Sequence, residues 1–561
     1  MKPLVLCTTL LVETSPQALP LGAACVCSAL KADKKCSSLF ESRLLDFSLE
    51  QKEFSSLSGI KEKALFYSEK ILSAKNSEQK LFAVCFSVYV WNRHILEQCA
   101  AFIKEKDSSI ICIAGGPEAT ANPFSFKKEC FDYAVAGAGE LAVPALLSSE
   151  QKDFSMAGVY DLAKAKEEQV IMRSPLCPPE DIPSPYLDGT IDPAKYGGAL
   201  WELARGCPFK CSYCYESKGE SRISYFPKER LYKEIALFAK KKISQVFVLD
   251  PTYNADKKRA TEMISYIKEH APGMFFYFEA RAEFIDRPLA KAFASITCAL
   301  QIGLQSSNEQ VLKNVHRTFN KKLFSKNIGI LNEEGVVFGF DLIYGLPGDN
   351  LKGFKESIDF ALQLYPNNLE LFRLSVLPGT DLYERRDALG LNAMEEAPYS
   401  VIETSSFSKA ELALAESLAR ATNIFYTQGR AVSWFNSVLY PLKMRPSAFL
   451  HDFELFLKEK KLLDEELSLA KIRLLQKEFV SIMYKKKHLD NLLLAVNDLI
   501  SFFGALSDAD GEALSSSVQL HYWPEDLLSE YALDLQFFCA NAQRHNSTVK
   551  VRPSPSGAVW N

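Results

Sequence analysis

Three cysteines in one short run have the spacing of a metal centre. Cys207, Cys211 and Cys214 form a Cys-x3-Cys-x2-Cys pattern, with Tyr213 directly before the last of them. Thiolates are soft ligands, and three thiols so close together cannot all be joined in disulfides with one another. A cluster of four irons ordinarily takes four cysteine ligands. The run therefore predicts a 4Fe-4S centre in which one iron stays open to a substrate or cofactor.

A zinc site is the alternative for such a motif. Zinc sites usually combine two separated Cys-x2-Cys pairs or add histidines. No second pair is present here, and the first histidine after Cys207 is His270. The sequence therefore favours the iron–sulfur centre.

The motif resembles that of the radical S-adenosylmethionine (SAM) superfamily. In that family three cysteines hold a 4Fe-4S cluster, and the amino and carboxylate groups of SAM chelate its fourth iron. One electron from the cluster then cleaves the sulfonium, which gives methionine and a 5′-deoxyadenosyl radical that abstracts hydrogen. The resemblance implies that the ring of Tyr213 packs near the adenine.

Polar residues at later strand ends match the needs of SAM. The cofactor requires a carboxylate for its ammonium, a cation for its carboxylate and hydrogen-bonding groups for its ribose. The resemblance implies that Glu279 meets the ammonium and that Arg317 meets the carboxylate. It assigns the ribose to Gln305, with Ser306 beside it, and to Asp341.

The sequence around these residues alternates strands with helices. Six predicted strands between 200 and 376 are separated by helical stretches, and this pattern resembles the partial barrel of the radical SAM superfamily. Active sites on such barrels lie at the carboxyl ends of the strands. The cysteine run follows the first predicted strand, so the metal centre is expected at this edge. Asp250, after the second strand, is a further candidate near the reacting centre.

Residues 1–150 show the same alternation and predict a doubly wound parallel sheet. Ligands bind such sheets beyond the carboxyl ends of the strands. A domain of this kind, fused before a radical SAM barrel, resembles the cobalamin-binding subgroup of the superfamily. The resemblance implies that three loops after strands hold cobalamin. The tentative contacts in these loops are Ser87, Tyr89, Asn92, Gly115, Gly116, Pro117, Gly137, Gly139 and Glu140.

The Asp-x-His-x-x-Gly signature of many cobalamin domains is absent. His94 is the only histidine before the barrel, and its surroundings lack the aspartate and the glycine. Two interpretations remain open. Cobalamin binds without a protein histidine, as occurs in this subgroup, or the domain keeps the fold without the cofactor.

The predicted fold class is α/β, with four segments. They are a Rossmann-like domain at 1–150, a hairpin and proline-rich linker at 151–195, a partial (βα)6 barrel at 196–405, and a mainly helical domain of unknown function at 406–561. We expect the last segment to cap the barrel or to shape the substrate pocket.

Composition sets outer limits on function. The chain has 561 residues, a net charge of −4 and 14 cysteines. This charge gives no bulk electrostatic case for nucleic acid or an anionic membrane. Cysteines within apolar stretches suit a reducing, cytoplasmic location. No apolar stretch is expected to reach the roughly 18 residues of a membrane span, and a signal peptide is not expected.

The favoured function is a radical SAM enzyme that cleaves SAM reductively, with cobalamin-dependent methyl transfer or rearrangement on an unknown substrate. An electron donor such as flavodoxin or ferredoxin is the expected partner. One alternative is a radical methylthiotransferase acting on RNA or protein, whose extra cluster would use Cys7, Cys36 and Cys85. A cobalamin-free radical enzyme and a non-catalytic cluster or cobalamin sensor are the others.

Overall fold

The computed structural model describes residues 1–150, 154–165, 170–216, 222–554 and 557–561. Its N-terminal sheet has six strands in the order β2-β1-β3-β4-β5-β6, parallel except for β6. The strands are β1 Leu4–Leu11, β2 Glu41–Ser48, β3 Leu81–Ser87, β4 Ile111–Gly115, β5 Tyr133–Val135 and β6 Val159–Asp161. The helices are α1 Leu21–Ala32, α2 Lys34–Leu39, α3 Lys52–Ser55, α4 Gly59–Ser73, α5 Arg93–Lys106, α6 Pro117–Ala121 and α7 Gly139–Ser148. An apolar core lies on each face of the sheet, as expected for a doubly wound fold.

Within the described residues, the two segments of the predicted linker hairpin, 158–161 and 169–173, do not pair as strands. β6 pairs antiparallel with β5 and so extends the sheet, instead of pairing with the segment 169–173. Residue 169 lies outside the described residues. Tyr160 reaches the segment through its hydroxyl, which bonds to the backbone of Met172. An isolated two-stranded hairpin is marginal in water, whereas a strand added to an existing sheet also gains its packing.

The second sheet is the expected partial barrel. Its six parallel strands run in the order β7-β10-β11-β12-β13-β14. The strands of this region are β7 Gly198–Trp201, β8 Ala204–Arg205, β9 Ser224–Tyr225, β10 Gln245–Val248, β11 Phe275–Ala280, β12 Cys298–Gln305, β13 Val337–Tyr344 and β14 Asn368–Arg373. The helices are α8 Lys228–Lys240, α9 Lys257–His270, α10 Arg287–Ala294, α11 Glu309–Asn314, α12 Lys321–Glu333 and α13 Leu351–Leu362. A short helix, α14 Asp381–Glu384, and an antiparallel pair, β15 Leu391–Ala393 and β16 Val401–Thr404, follow.

Polar caps start the barrel helices at the carboxyl edge of the sheet. Each capping side chain accepts a hydrogen bond from a backbone N–H of the first helical turn, which would otherwise lack a partner. The caps of α9, α10, α12 and α13 are Asp256, Asp286, Asn320 and Asn350. The loops before these helices are therefore fixed where the functional side chains lie.

The first predicted barrel strand, 200–205, is broken in two. β7 belongs to the barrel, whereas β8 leaves it and pairs with β9. The buried carboxylate of Asp250 accepts hydrogen bonds from the backbone N–H groups of Leu203 and Ala204, at 2.8 and 3.0 Å. Burial raises the pKa of Asp250 to about 7. Asp250 thus holds the bend that carries the chain into the cysteine run.

The C-terminal region is mainly helical, as predicted, but it also contains a small antiparallel sheet. Its strands are β17 Ser516–Leu520, β18 Ser547–Arg552 and β19 Val559–Trp560. The helices are α15 Lys409–Thr422, α16 Phe435–Leu439, α17 Pro446–Glu459, α18 Leu469–Lys486, α19 Leu493–Glu512, α20 Pro524–Leu527 and α21 Leu535–Asn541. Its strands are short and separated by other elements, which hid them in a helical pattern.

The C-terminal region shares one apolar core with the barrel. Backbone N–H of Ser447 donates to Asp359 of α13, and the hydroxyl of Tyr426 donates to the carbonyl of Pro366. A π-helical turn, Asn423–Gln428, lies along β14. Its Thr427 hydroxyl bonds to both the N–H and the C=O of Leu369. These contacts place the region against the outside of the barrel, beside its last strand.

One helical stretch does reach the length and apolarity of a membrane span, contrary to the expectation. It is Asp490–Glu512, and 56% of its apolar window is buried within the chain. Asp498, in its middle, is 1% exposed and accepts hydrogen bonds from the backbone of His521 and Tyr522. The core helix of a folded domain meets the same length and composition criteria.

The N-terminal domain and the barrel region are joined by a buried polar contact. The carboxylate of Glu118 in α6 pairs with Arg93 at 2.8 Å and also accepts a hydrogen bond from the hydroxyl of Tyr399 at 2.8 Å. Tyr399 is 4% exposed. The contact bridges the two sheets close to their facing edges.

Replacing Tyr399 with phenylalanine is expected to destabilise the chain by about 1.5–3 kcal/mol, the usual contribution of a hydrogen bond to a charged group. The ring still packs, so only the bond to Glu118 is lost. Urea unfolding measures the change. Tyr531→Phe, at a side chain that is 65% exposed, is the matched control. Equal midpoints for the two variants would contradict the prediction.

Candidate functional site

The cysteine run folds over the carboxyl edge of the barrel. Backbone N–H of Ser212 donates to the carbonyl of Val315, and backbone N–H of Leu382 donates to the carbonyl of Ser212, at 3.0 and 2.9 Å. Cys211 is buried and Cys207 is half-buried. Burial raises the pKa of the Cys207 thiol. The loop is thus anchored to two other loops of the same edge.

The three thiols line a cavity of about 180 Å³ that is open towards the barrel interior. Its walls include Glu279, Gln305, Arg317 and Asp341. Among the described residues, no three ligand side chains are spaced for a single metal ion. Each cysteine of a 4Fe-4S cluster binds a different iron, so wider spacing of the thiols is expected. A soft donor set at a recess fits such a cluster.

Arg317 lies in the wall of this cavity, among the other residues predicted to contact SAM. Its guanidinium donates to the hydroxyl of Tyr213 at 3.3 Å and to the carbonyl of Gly303. Tyr213 is thereby held beside the cysteines. A guanidinium in the wall of a cavity can bind the carboxylate of a small ligand.

Glu279 projects from the end of β11 into the same cavity. Solvent reaches its side chain through the open barrel, while protein groups surround the carboxylate on the other sides. Burial raises its pKa to about 7, and repulsion from Asp341 and Glu216 adds to the rise. No ion pair of Glu279 occurs in the described part of the chain, so this carboxylate has capacity for a cation.

Gln305 ends β12 in an unusual conformation. Its φ is +67°, in the left-handed region that non-glycine residues rarely occupy, and the pairing of β12 with β13 shifts register there. Its buried Oε1 atom has no hydrogen-bond partner in the described structure. An orphaned acceptor in a cavity wall suits a ligand hydroxyl. Asp341, on β13, accepts a hydrogen bond from Gln301 at 2.6 Å.

A second, larger cavity of about 500 Å³ lies in the N-terminal domain. It opens at the carboxyl edge of the sheet and extends between the sheet and helices α1 and α7. Glycine is required on its wall, because Gly116 has a φ of +89° and a Cβ there would lie 2.8 Å from the backbone of Val88. Eight of the nine predicted cobalamin contacts line it: Ser87, Tyr89, Gly115, Gly116, Pro117, Gly137, Gly139 and Glu140.

Three predicted candidates lie behind the cavity walls. Asn92 is fully buried, and its amide bonds to the backbone of Tyr89 and Leu10, which fixes the loop. Ser306 is 1% exposed and lies beside Ser357 of α13. Asp250 holds the β7–β8 bend. Their short polar side chains satisfy local backbone or helix groups.

The two cavities meet at Glu216, which lines both of them. Tyr215, Arg173 and Arg205 line the larger cavity beside it. Arg205 pairs with Glu140 of the N-terminal domain at 2.8 Å. Sequence reasoning missed Glu216, Tyr215 and Arg173, because only the packing of one domain on the other brings them there. The carboxyl edges of the two parallel sheets therefore face each other across a shared space.

A family model described as the radical SAM superfamily matches residues 201–361. This range includes the cysteine run and most of the barrel strands that line the smaller cavity. Residues 201–361 therefore carry a radical SAM domain. The predicted resemblance is confirmed over this range, and the remaining likenesses concern particular members.

Two curated proteins show similarity at low identity. The cobalamin-dependent radical SAM methyltransferase TokK of Streptomyces tokunonensis is 27% identical, over 56% of this chain and 50% of that protein. The 2-(S-pantetheinyl)-carbapenam-3-carboxylate methyltransferase of Streptantibioticus cattleyicolor is 25% identical, over 53% of this chain and 47% of that protein. The chain spans about half the length of the curated relatives it matches.

Two solved structures share the fold. The cobalamin-dependent SAM radical enzyme OxsB with aqua-cobalamin bound aligns with a TM-score of 0.59 at 16% identity, covering 87% of this chain and 80% of that one. TsrM from Kitasatospora setae, with cobalamin and a [4Fe-4S] cluster bound, aligns with a TM-score of 0.52 at 16% identity, covering 73% and 84%. The predicted α/β fold class is confirmed: the chain shares with these two structures a Rossmann-like domain before a partial barrel.

Glu279→Gln is expected to stabilise the cofactor-free chain at pH 8. The folded pKa of Glu279 is about 7, against about 4.3 for an unperturbed glutamate. Between these values the folded state binds more protons than the unfolded state, so stability falls as the pH rises through that window. The variant removes this loss at pH 8. At pH 4 the folded Glu279 is protonated and the unfolded one is mostly protonated, so the two proteins are expected to be nearly equally stable.

Urea unfolding at pH 4 and pH 8 measures the difference. Glu69→Gln, on the exposed face of α4, is the control and is expected to change little at either pH. A variant that is less stable than the wild type at pH 8 would refute a raised pKa of Glu279 in the folded state.

Proposed function

We propose that this chain is a cobalamin-dependent radical SAM enzyme that transfers a methyl group to, or rearranges, a small-molecule substrate. The observation that carries the proposal is the meeting of two cavities at Glu216. One cavity has the thiols and polar groups expected for a cluster and SAM, and the other has the glycine-lined shape expected for cobalamin. A substrate in the shared space would contact both cofactors.

In the smaller cavity, Cys207, Cys211 and Cys214 are the proposed ligands of the 4Fe-4S cluster. When bound, this cluster supplies the electron that cleaves SAM. Arg317 would bind the SAM carboxylate and Glu279 its ammonium, since both side chains line the cavity and no ion pair of Glu279 occurs in the described residues. Gln305 and Asp341 would accept hydrogen bonds from the ribose, and Tyr213 would contact the adenine.

In the larger cavity, the eight lining residues named above are the proposed cobalamin contacts. When bound, cobalamin supplies a methyl group to a substrate carbon. His94 lies elsewhere, with its Nε2 4.0 Å from Glu396 and its side chain 44% exposed. The geometry therefore supports binding without a histidine ligand from this chain.

The methylthiotransferase alternative receives no support from the positions of its three cysteines. The thiol of Cys36 donates to the carbonyl of Pro144 in α7. Cys7 and Cys85 are paired neighbours on β1 and β3 and line the larger cavity. All three thiols lie in the apolar core on one face of the sheet, where buried cysteines pack as small apolar side chains. A reduced flavodoxin or ferredoxin is the proposed electron donor.

Replacing any one of the three cluster cysteines with alanine is expected to abolish both the cluster and SAM cleavage. The wild type, purified anaerobically and reduced, should hold about four irons and release 5′-deoxyadenosine. Cys298→Ala is the matched control, because its thiol donates to the carbonyl of Phe293 outside the cavity. A wild-type protein that holds an intact cluster but releases no 5′-deoxyadenosine would refute the proposal that the chain is an enzyme.

Gly115→Leu is expected to prevent cobalamin binding while leaving the iron content unchanged. A Cβ at Gly115 meets only the carbonyl of Phe86, at 3.6 Å, so the side chain enters the cavity without strain. Cobalamin absorbance of protein purified with the cofactor supplied measures the effect. Gly329→Leu is the control, since a Cβ there meets nothing within 4 Å. Full occupancy of cobalamin in the Gly115→Leu variant would show that cobalamin does not bind in this cavity.

A further inference from the structure

The inner face of β14 carries three side chains that the proposed cofactor contacts leave unused. Asn368, Glu370 and Phe372 alternate along the strand, so they project from the same face, towards the barrel interior. The register pairs Glu370 with Asp341 of β13. Glu370 therefore lies one strand beyond the cavity proposed for SAM, level with Asp341 along the strand direction.

Glu370 is a carboxylate without a counter-charge. No ion pair or hydrogen bond of its side chain occurs in the described residues, and it is half-buried. Burial raises its pKa, and repulsion from Asp341 adds to the rise. The nearest arginine in sequence, Arg373, projects away and bonds to Val401 and Glu416. Arg317, across the interior, is held by Gly303 and Tyr213.

A second acceptor on the same face also lacks a donor. The Oδ1 atom of Asn368 is buried and has no hydrogen-bond partner in the described structure. The neighbouring amide that could donate, Gln301, gives its hydrogen bond to Asp341 instead. Two neighbouring acceptors without donors are costly unless a ligand supplies N–H groups.

Apolar side chains border this polar pair. Phe372 follows Glu370 on the same face and is 50% exposed, although it lies within the barrel region. On the opposite side of the barrel, Phe247 and Tyr277 stack with their centroids 4.2 Å apart. A carboxylate beside an exposed ring is the combination that binds an organic cation, through charge pairing and cation–π attraction.

Building on the proposed function, we propose that the inner face of β14 binds the substrate, with Glu370 paired to a cationic group and Phe372 packed against the adjoining apolar part. The substrate class is an amine or another organic cation on an apolar frame. Carboxylates and phosphate esters are disfavoured beside β14, because Glu370 lies next to Asp341 and has no ion pair in the described residues. Asp341 and Glu279 are proposed contacts of SAM, which leaves Glu370 as the carboxylate of β14 that is available to the substrate.

The test uses three aromatic probes of similar shape on the holoenzyme, loaded with cluster, cobalamin and SAM and left unreduced. Benzylamine is a cation at neutral pH, benzyl alcohol is neutral and benzoate is an anion. Ligand-observed NMR titration gives the dissociation constants. Benzylamine is expected to bind about tenfold more tightly than benzyl alcohol, a difference of about 1.4 kcal/mol, and benzoate is expected to bind most weakly.

Glu370→Gln is expected to remove the preference, so that benzylamine and benzyl alcohol bind within about twofold of each other. Glu370→Asp keeps the charge and should keep the preference, which separates charge from packing. Glu403→Gln, at an exposed carboxylate of β16, is the matched control and should leave the preference unchanged. SAM affinity should be unchanged in all three variants.

A preference retained in Glu370→Gln would overturn the proposal, as would equal binding of the probes to the wild type. Loss of SAM affinity in Glu370→Gln would assign the residue to the cofactor and would also overturn it. The proposed function has a separate readout, the release of 5′-deoxyadenosine on reduction. If no 5′-deoxyadenosine is released, the probe titrations can still be interpreted. The failure of one proposal can therefore be distinguished from the failure of the other.

Discussion

Arg205 is the charge on which the arrangement of the site depends. It ends β8, two residues before the first cluster cysteine, and pairs with Glu202 of its own domain and with Glu140 of α7. The side chain of Glu140 is 6% exposed. Without the arginine, Glu140 would be a buried charge without a partner, which costs several kcal/mol, on the order of 3–5. The pair therefore fixes how one parallel sheet faces the other, and both cavities meet beside it.

The sequence was informative where a short motif or a strand end fixes a position. The cysteine spacing, Glu279 and Arg317 are of this kind, because parallel strands bring their carboxyl ends to one edge. Asn92 and Ser306 show the limit, since the side of a loop on which a residue lies depends on which backbone groups need a partner. Glu216 was beyond reach, because its place results from the docking of two domains far apart in sequence.

Some of the missed information was present in the pattern. Asn368, Glu370 and Phe372 alternate with Leu369 and Leu371, which is the period of a strand with one polar face. In a closed barrel the inner face is filled by packed apolar side chains. Six strands leave the barrel open, so its inner face can be polar and reached by solvent. The alternating polar residues of β14 therefore indicated a functional inner face, because only an open barrel leaves such a face accessible.

The turn that lies along β14 has a further consequence. β14 is the last strand of an open sheet, and such an edge offers unpaired N–H and C=O groups to other chains. Thr427 occupies both groups of Leu369, near the start of this edge. A single hydroxyl thus makes the two hydrogen bonds that a neighbouring strand would make at this residue, and the sheet ends there. The C-terminal region thereby shields this edge of the open barrel from pairing with the edge of another chain.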